Sequence, residues 1–237
     1  YAFPDPATDK TFRRPTSRTE TGGTLDSGPG RTESWVYGYQ DPSCANQDER
    51  LCRHVDQHGV VTRYEYTGMF ESARVEGAGT PEERRIETDY DANLYRISQR
   101  RTYERRNGVN VLLMRSHWVY GPAFPGGPKA LLARCEIDAQ DSTSAAYQCS
   151  PTVAPPTDVA GVRRWVYSYC SSRSSDAQQH GCPGAGWLRG ITDPRGSVTT
   201  YTYYTAATGA GGSCNWGPAN SDCHQAGDLY SIVNPAG

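Results

Sequence analysis

The chain has 237 residues, with 24 basic and 26 acidic side chains and a formal net charge of −2. This balance excludes the strong positive field that draws proteins to nucleic acid, and no apolar run approaches the roughly 20 residues of a membrane span. The 25 glycines and 16 prolines exclude long helices, while the 16 tyrosines suit half-buried strands, so the composition predicts an all-β protein.

Residues 1–34 are polar and rich in turn-forming residues, which predicts an extended N-terminal arm. Strand patterns begin directly afterwards with Trp35-Val36-Tyr37, and the same tripeptide returns at residues 118–120 and 165–167. Because side chains alternate along a strand, a Tyr-x-Tyr pair places two rings on one face, and rings of neighbouring strands are expected to stack. The pairs are Tyr37 with Tyr39, Tyr64 with Tyr66, Tyr167 with Tyr169, and Tyr201 with Tyr203.

A longer match defines a repeated hairpin. Residues 56–66, DQHGVVTRYEY, and residues 193–203, DPRGSVTTYTY, share Asp-x-x-Gly-x-Val-Thr-x-Tyr-x-Tyr, and residues 229–237 repeat the strand and turn of residues 188–196. Each copy predicts a strand and a tight turn, in which Asp or Asn caps the backbone and Gly supplies a positive φ. The turn residues are Asp56, Gly59, Asp193, Pro194, Gly196, Asn234, Pro235 and Gly237.

The turn aspartates are also the first candidates for a general acid or base. Asn234 occupies the same repeat position as Asp56 and Asp193. An asparagine cannot transfer a proton, but it caps a turn as well as aspartate does. These residues are therefore interpreted as turn caps, and the sequence predicts no catalytic residue and no enzyme activity.

Two charge runs lie between the hairpin copies: Glu82-Glu83-Arg84-Arg85, and QRRTYERR at residues 99–106. In a balanced chain such runs predict a polar hairpin with cross-strand ion pairs. The alternative is an arginine surface for a polyanion.

The eight cysteines are Cys44, Cys52, Cys135, Cys149, Cys170, Cys182, Cys214 and Cys223. Eight cysteines allow 105 connectivities. Their close spacing predicts pairing in sequence order, and three of the four pairs fall in the loop after a Tyr-x-Tyr segment, where antiparallel strands bring the loop ends together. Four disulfides imply an oxidising compartment, so the chain is expected to be secreted, periplasmic or on a cell surface.

Two other uses of these cysteines are weaker. Cys44, Cys52, His54 and His58 contain a zinc-compatible ligand set, but their spacing differs from common zinc signatures. Neighbouring residues on a strand point to opposite faces, which argues against Cys223 and the adjacent histidine as a nucleophile and its base. No metal and no cofactor are therefore expected.

Residues 138–161 form a second low-complexity stretch, which is interpreted as an inserted loop because the strand pattern resumes at Trp165. Residues 35–237 are accordingly predicted to be one β domain.

Trp187 and Trp216 lie beside glycines and outside the Trp-Val-Tyr segments. Tryptophans on loops stack on sugar rings, so a glycan-binding surface is the alternative function.

The hairpin units resemble the RHS or YD-repeat family, with Asp-Pro-x-Gly turns followed by Thr-x-Tyr-x-Tyr. TDYDANLYRI, around Tyr90-Asp91, is similar to the family's namesake Tyr-Asp dipeptide but lacks the usual glycine and has a shortened interval to Leu94. The resemblance implies successive antiparallel β-hairpins in a sheet that spirals into a hollow shell. It also implies a place around an enclosed toxin domain or in a large surface protein.

The expected function is a noncatalytic extracellular scaffold, either a shell wall or a self-associating fibre, with a carbohydrate-binding or adhesive module as the alternative. The expected partners are further repeats of the same polypeptide or other copies of the chain, with glycans or an enclosed toxin domain as further candidates. Because an open sheet edge associates readily, both ends are expected to continue into more chain or to pair with another copy. The start at Tyr1 suggests a piece of a larger protein.

Overall fold

The computed structural model describes residues 14–20, 31–44, 48–157, 159–171, 182, 184–204 and 229–234. Within these ranges the regular structure is β-strand, apart from one 3-10 turn at Gly38–Gln40. The strands are β1 Ser17–Glu20, β2 Arg31–Tyr37, β3 Leu51–Val55, β4 Val61–Thr67, β5 Phe70–Glu76, β6 Arg84–Tyr90, β7 Ile97–Arg106, β8 Val109–Pro122, β9 Lys129–Asp138, β10 Val162–Tyr169, β11 Leu188–Thr192, β12 Val198–Tyr203 and β13 Leu229–Val233.

The thirteen strands of the described ranges follow one another in the sheet in sequence order, and neighbouring strands are antiparallel. This arrangement confirms the predicted all-β class built from successive hairpins. The two best-matched copies of the repeat have equivalent registers: Val55 lies opposite Val61 beside one turn, and Thr192 lies opposite Val198 beside the other. The shared sequence therefore specifies the same hairpin twice.

The chain divides into two compact units, residues 1–114 and 115–237, and β8 contributes residues to both. The expected boundary after residue 34 falls within β2, in the first unit. The segment expected to be an extended arm contains β1, which pairs with β2 from Ser17 opposite Ser34 to Glu20 opposite Arg31. Polar strands of this kind pair through their backbones and through side-chain contacts such as Thr19 to Thr32, whose hydroxyl oxygens are 3.0 Å apart.

Few side chains of the described residues are fully buried, and most of these are small. In the second unit, Ala133, Cys135 and Ile137 alternate along β9 and are buried. In the first unit, Ala73 and Thr102 are buried within the sheet. Most other strand residues are only half-buried. A sheet with so little apolar interior depends on its backbone ladders, its hydrogen-bonded tyrosines and its disulfides for stability.

Three disulfides are present among the described residues: Cys44–Cys52, Cys135–Cys149 and Cys170–Cys182. Their Cα–Cα distances of 5.9, 5.8 and 5.9 Å lie in the ordinary range for a disulfide. These are three of the four pairs predicted in sequence order. Cys214 and Cys223 lie outside the described residues.

The stretch interpreted as an inserted loop lies between β9, which ends at Asp138, and β10, which begins at Val162. The amide of Asp138 donates to the carbonyl of Gly161 at 2.8 Å and closes the base of the loop. Arg164 on β10 donates to the carbonyls of Ser150 and Pro151, each at 2.7 Å. Together with the Cys135–Cys149 disulfide, these contacts attach the loop to the two strands that flank it.

Candidate functional site

The aspartates of the repeated turns cap the backbone. Oδ1 of Asp56 accepts hydrogen bonds from the amides of His58 at 2.8 Å and Val60 at 2.9 Å. These bonds favour the ionised form and hold the pKa of Asp56 below its usual value. Gly59 has a φ of +79°, in the left-handed region that favours glycine. A carboxylate held in this way is an acceptor for the turn.

The second turn has the same geometry. Oδ1 of Asp193 accepts from the amides of Arg195 and Ser197, both at 2.8 Å, and Gly196 has a φ of +84°. Asn234, the third residue of this set, accepts a hydrogen bond from the hydroxyl of Thr199 at 3.1 Å. Pro194 lies in the turn between β11 and β12, whereas Pro235 and Gly237 lie outside the described residues.

The Tyr90-Asp91 segment forms a capped turn without a glycine. Oδ1 of Asp91 accepts from the amides of Asn93 and Leu94, each at 2.9 Å. The closing bond runs from the Asp91 amide to the Arg96 carbonyl, so this turn is one residue longer than the turn that begins at Asp56. Tyr95 has a φ of +53° in place of the missing glycine, and its ring stacks on that of Phe70 with centroids 5.8 Å apart.

The feature that recurs most often is a hydrogen bond from a tyrosine hydroxyl to a backbone carbonyl near the start of the preceding strand. We call each of these bonds a tyrosine tie. Five of these ties are Tyr37 to Pro15 at 3.0 Å, Tyr66 to Leu51 at 3.0 Å, Tyr90 to Glu71 at 3.2 Å, Tyr169 to Leu131 at 2.8 Å, and Tyr203 to Leu188 at 2.6 Å.

Every one of these tyrosines also lies at a register shift against the following strand. The shifts fall immediately before Tyr37, Tyr66, Tyr90, Tyr169 and Tyr203. A bulge inserts an extra residue into one strand and increases the local twist. Each tyrosine therefore lies where the register with the following strand changes, and its hydroxyl bonds to the chain on the other side of its strand.

The ties are connected through the sheet. Leu51 is paired with Tyr37 and accepts the hydroxyl of Tyr66. Glu71 is paired with Tyr66 and accepts the hydroxyl of Tyr90. In the second unit, Leu188 is paired with Tyr169 and accepts the hydroxyl of Tyr203. The residue opposite one tied tyrosine is thus the acceptor for the next.

A planar side chain covers the ring in four of the five ties, and in each case it belongs to the residue just before the acceptor. The guanidinium carbons of Arg14 and Arg50 lie 5.7 and 4.6 Å from the ring centroids of Tyr37 and Tyr66. The centroid of Phe70 is 4.6 Å from that of Tyr90, and the centroid of Trp187 is 5.2 Å from that of Tyr203. In the Tyr169 tie the corresponding residue is Ala130.

Neither a protein-family model nor a curated protein matches this chain.

Trp187 has a structural role that the sequence did not reveal, because it occupies the covering position, the residue just before the acceptor of a tyrosine tie. Trp187 is 42% exposed, and its backbone carbonyl accepts the amide of Cys170 at 2.8 Å. Its ring lies edge-on to Tyr203, where two other units have an arginine over the tyrosine. Trp216, the other tryptophan considered for glycan binding, lies outside the described residues.

Burial raises the pKa of the tied tyrosines Tyr37, Tyr66, Tyr90 and Tyr203 above the usual value of 10.0. A neutral hydroxyl is required for a tyrosine to donate to a carbonyl. The ties are therefore complete at neutral pH.

The first cysteine pair excludes the zinc arrangement considered from the sequence, because both thiols of Cys44 and Cys52 are consumed in a disulfide. His54 stacks on Trp35 with ring centroids 5.5 Å apart, and its Nε2 is 2.8 Å from Oε1 of Glu33. His58 is exposed beside the first turn. In the part of the chain that the structure describes, no group of three or more His, Cys, Asp or Glu side chains is placed to hold a metal ion.

The charge runs form the expected cross-strand ion pairs. Arg85 on β6 donates two hydrogen bonds to Glu65 on β4, at 2.7 and 2.8 Å, across the intervening strand β5, where Ala73 lies opposite Glu65. Arg85 also contacts Glu87 at 3.0 Å, and Arg101 contacts the same carboxylate at 3.1 Å. The arginines of this face are engaged by carboxylates, which disfavours the polyanion surface.

An arginine also links the Trp-Val-Tyr segments of the second unit. Arg134 on β9 lies 5.8 Å from the ring centroid of Trp118 and 5.1 Å from that of Trp165. Its guanidinium also forms an ion pair with Glu136. Cation–π contacts from one guanidinium to two tryptophans connect β8, β9 and β10 through side chains.

A ring contact between tyrosines of neighbouring chain segments is present where Tyr204, just after β12, meets Tyr230 on β13 edge to face, with centroids 5.1 Å apart. Strands with Tyr-x-Tyr, such as β10 and β12, are separated by a strand of another type. The repeat consists of two strands, one with Tyr-x-Tyr and one without it. The tyrosine rings of one strand therefore contact the residues that precede the acceptor carbonyls at the start of the intervening strand. Tyr39 lies in the 3-10 turn after β2 and stacks on Tyr37 at 6.3 Å.

Proposed function

We propose that this chain is a noncatalytic structural scaffold of the YD-repeat type, in which two-strand units add to one another and form a wall. The tyrosine tie carries the proposal. In the five ties described above, each tyrosine lies at a register shift and donates to a carbonyl in the preceding strand or just before it. A device repeated at each unit is what a repeat scaffold requires, since each unit contacts mainly its neighbours.

The polar chemistry of the units supports the same proposal. The turn aspartates accept backbone amides, and the carboxylates of the charge runs face arginines on adjacent strands. An active site instead requires groups of this kind to converge where a substrate can bind. These turn aspartates and charge-run carboxylates instead bind backbone amides and arginines of the sheet.

The proposed location is outside the cytoplasm, at a cell surface or in a secreted assembly. Three disulfides support it, because such bonds persist in oxidising compartments. Among the described residues, no helix is long and apolar enough to cross a membrane. The partners proposed for the scaffold are further repeats of the same type, with an enclosed domain as a second possibility.

Hydrogen–deuterium exchange on the oxidised chain, with and without a mixture of glycans, tests the scaffold proposal. We expect slow amide exchange through β3 to β12, unchanged by the glycans. Sedimentation across a range of concentrations then reports whether the folded chain associates with itself. Fast exchange across these strands, or glycan-dependent protection at one cluster, would contradict the scaffold proposal.

A carbohydrate-binding surface is the second candidate, because Trp187 is 42% exposed and aromatic rings on a surface often bind sugars. Replacing Trp187 with arginine separates the two functions. Arginine covers the tyrosine in two other units, so it preserves the structural role while removing the flat apolar ring. Glycan-array signal that is present in the native chain and absent from Trp187→Arg would support the carbohydrate function.

A further inference from the structure

Two arginines outside the charge runs lie directly opposite each other in the first unit. Arg53 on β3 pairs with Arg63 on β4, so both side chains project from the same face of the sheet. In the described part of the chain, neither guanidinium forms an ion pair or a hydrogen bond with another side chain. Like charges at opposed positions repel each other, so an anion between these two arginines is favourable.

The same row of the sheet shows which group binds an arginine on this face. Arg63 lies opposite Val75, and Val75 lies opposite Arg85. Both oxygens of Glu65 accept hydrogen bonds from Arg85, at 2.7 and 2.8 Å, and Glu87 accepts another at 3.0 Å. The third arginine of the row thus has two glutamates, whereas the opposed pair has no such contact among the described residues.

Two carboxylates whose charges reach the pair are engaged elsewhere. Asp41 is influenced by both arginines, but its Oδ1 accepts from the amide and the hydroxyl of Ser43, at 2.9 and 2.6 Å. Glu83 is influenced by one of them, but it accepts from the amide of Gly79 at 2.8 Å and from Arg105 at 2.9 Å. Neither carboxylate neutralises the pair by direct contact.

The surroundings of the pair are apolar. Val36 lies opposite Arg53 on one side, Val75 follows on the other side, and Val55 and Val61 face each other beside the pair. Nε of Arg53 is buried and has no hydrogen-bond acceptor, which is costly for an N–H donor. An ion pair among apolar neighbours is also less weakened by water than one on an open surface.

We propose that Arg53 and Arg63 form a binding site for a carboxylate, and that the ligand is a glutamate side chain of a partner protein. Two guanidinium groups offer a carboxylate enough N–H donors for all its lone pairs. A glutamate carries the group that already binds Arg85 in this row, and its two methylenes can contact the neighbouring valines. The site goes beyond the proposed scaffold function, because it does not depend on how the repeats assemble.

Nuclear magnetic resonance of the arginine Nε–H groups in the oxidised full chain tests the proposal. The probe is glutamate with both backbone ends blocked, and blocked glutamine is the neutral control. We expect blocked glutamate to shift the signals of Arg53 and Arg63 saturably and blocked glutamine to leave them unchanged. Equal responses to the two probes, or no saturable shift, would overturn the inference.

A pair of matched variants locates the site. Arg63→Gln changes an exposed residue, and we expect it to weaken glutamate binding at least about threefold, as for the loss of a partly solvated ion pair. Arg84→Gln removes the same charge from another exposed position, but Arg84 precedes Arg85 on β6 and therefore faces the opposite side of the sheet. Binding should be unchanged in this control. Equal weakening in both variants would show only long-range attraction and would overturn the inference.

Three further outcomes separate this site from its alternatives. Arg63→Gln should leave the urea midpoint unchanged or raise it, because it removes a like-charge contact. A lowered midpoint would show that Arg63 already stabilises the sheet and would contradict the inference. Tighter binding of inorganic sulfate or of galacturonic acid than of blocked glutamate would assign the site to another class of ligand. Slow exchange through β3 to β12 without glutamate binding would reject this site alone, whereas loss of that protection would reject the scaffold.

Discussion

Trp187 packs edge-on against Tyr203, with ring centroids 5.2 Å apart and planes inclined by 62°. The hydroxyl of Tyr203 donates to the carbonyl of Leu188, the residue that follows Trp187. Arg50, Leu51 and Tyr66 repeat this relation in the first unit with a guanidinium in place of the indole. The tryptophan is therefore one of several side chains that fill the same structural position.

Trp187→Ala should lower the free energy of unfolding by about 1–3 kcal/mol, because it uncovers the ring of Tyr203 and removes a large apolar contact. Trp187→Arg should lower it by less than about 1 kcal/mol, since a cation over the ring replaces part of that contact. Urea unfolding under oxidising conditions measures both. Equal losses for the two variants would argue against a shared covering position.

Removing one tie should destabilise the sheet locally. Tyr66→Phe deletes the hydroxyl that donates to Leu51, and we expect a loss of about 1 kcal/mol. Tyr64→Phe is the matched control, because Tyr64 lies on the same strand and makes no tie in the described residues. Urea unfolding of the two variants measures the difference, and a control as destabilised as Tyr66→Phe would show that the tie contributes nothing specific.

The hydroxyl ties predict a loss of stability at alkaline pH. Burial raises the pKa of Tyr66 and Tyr203 in the folded chain, so the folded chain holds these protons more tightly than the unfolded chain does. This contribution is complete below the usual pKa of 10.0 and is lost as the pH rises through the higher folded-state value. The unfolding midpoint of the native chain should therefore fall more steeply above this pH than that of a Tyr66→Phe, Tyr203→Phe variant.

The ion pair between Arg85 and Glu65 predicts a loss of stability in acid. The hydrogen bonds from Arg85 hold the pKa of Glu65 below its usual value of 4.5. The contribution is present above that value and is lost as the pH falls through the lower folded-state pKa. Because the Glu65 carboxylate is partly solvated, we expect a coupling of only about 0.5–1 kcal/mol in a double-mutant cycle of Glu65→Gln with Arg85→Gln at neutral pH. The coupling should vanish at pH values well below the folded-state pKa, and a coupling that persisted there would contradict this account.

The loop disulfide should contribute more than any single tie. Replacing Cys135 and Cys149 together by alanine opens a loop with a sequence separation of 14 residues. In the chain-entropy model this costs about 3 kcal/mol. Thermal unfolding measures the loss, and exchange should increase most in residues 139–161. A variant with unchanged stability and unchanged exchange in the loop would show that the contacts of Arg164 hold it without the disulfide.

The sequence predicted the strands and turns well because the hairpin copies encode them locally. Asp56, Gly59 and Val61 specify a cap, a positive φ and a strand within six residues. The close spacing of the cysteines similarly made the three observed disulfides predictable. These features require only neighbouring residues to be compared.

The ties could not be predicted because they depend on the register between strands. Tyr169 and Leu131 are 38 residues apart in sequence, and the inserted loop lies between them. The pairing of β1 was missed because its polar residues lack an apolar alternation. One signal in the sequence could have indicated the covered ties. Arg50-Leu51 and Trp187-Leu188 align in the repeat, and each has a planar side chain before the leucine.

Nuclear magnetic resonance of the tyrosine hydroxyls detects directly whether the ties are formed in solution. In an equal mixture of light and heavy water, slow hydroxyl exchange splits the Cζ signal of a hydrogen-bonded tyrosine into two lines. We predict two lines for Tyr37, Tyr66, Tyr90, Tyr169 and Tyr203, and a single line for the exposed Tyr95 and Tyr230. Single, averaged lines for the five tied tyrosines would contradict a scaffold connected by tyrosine ties.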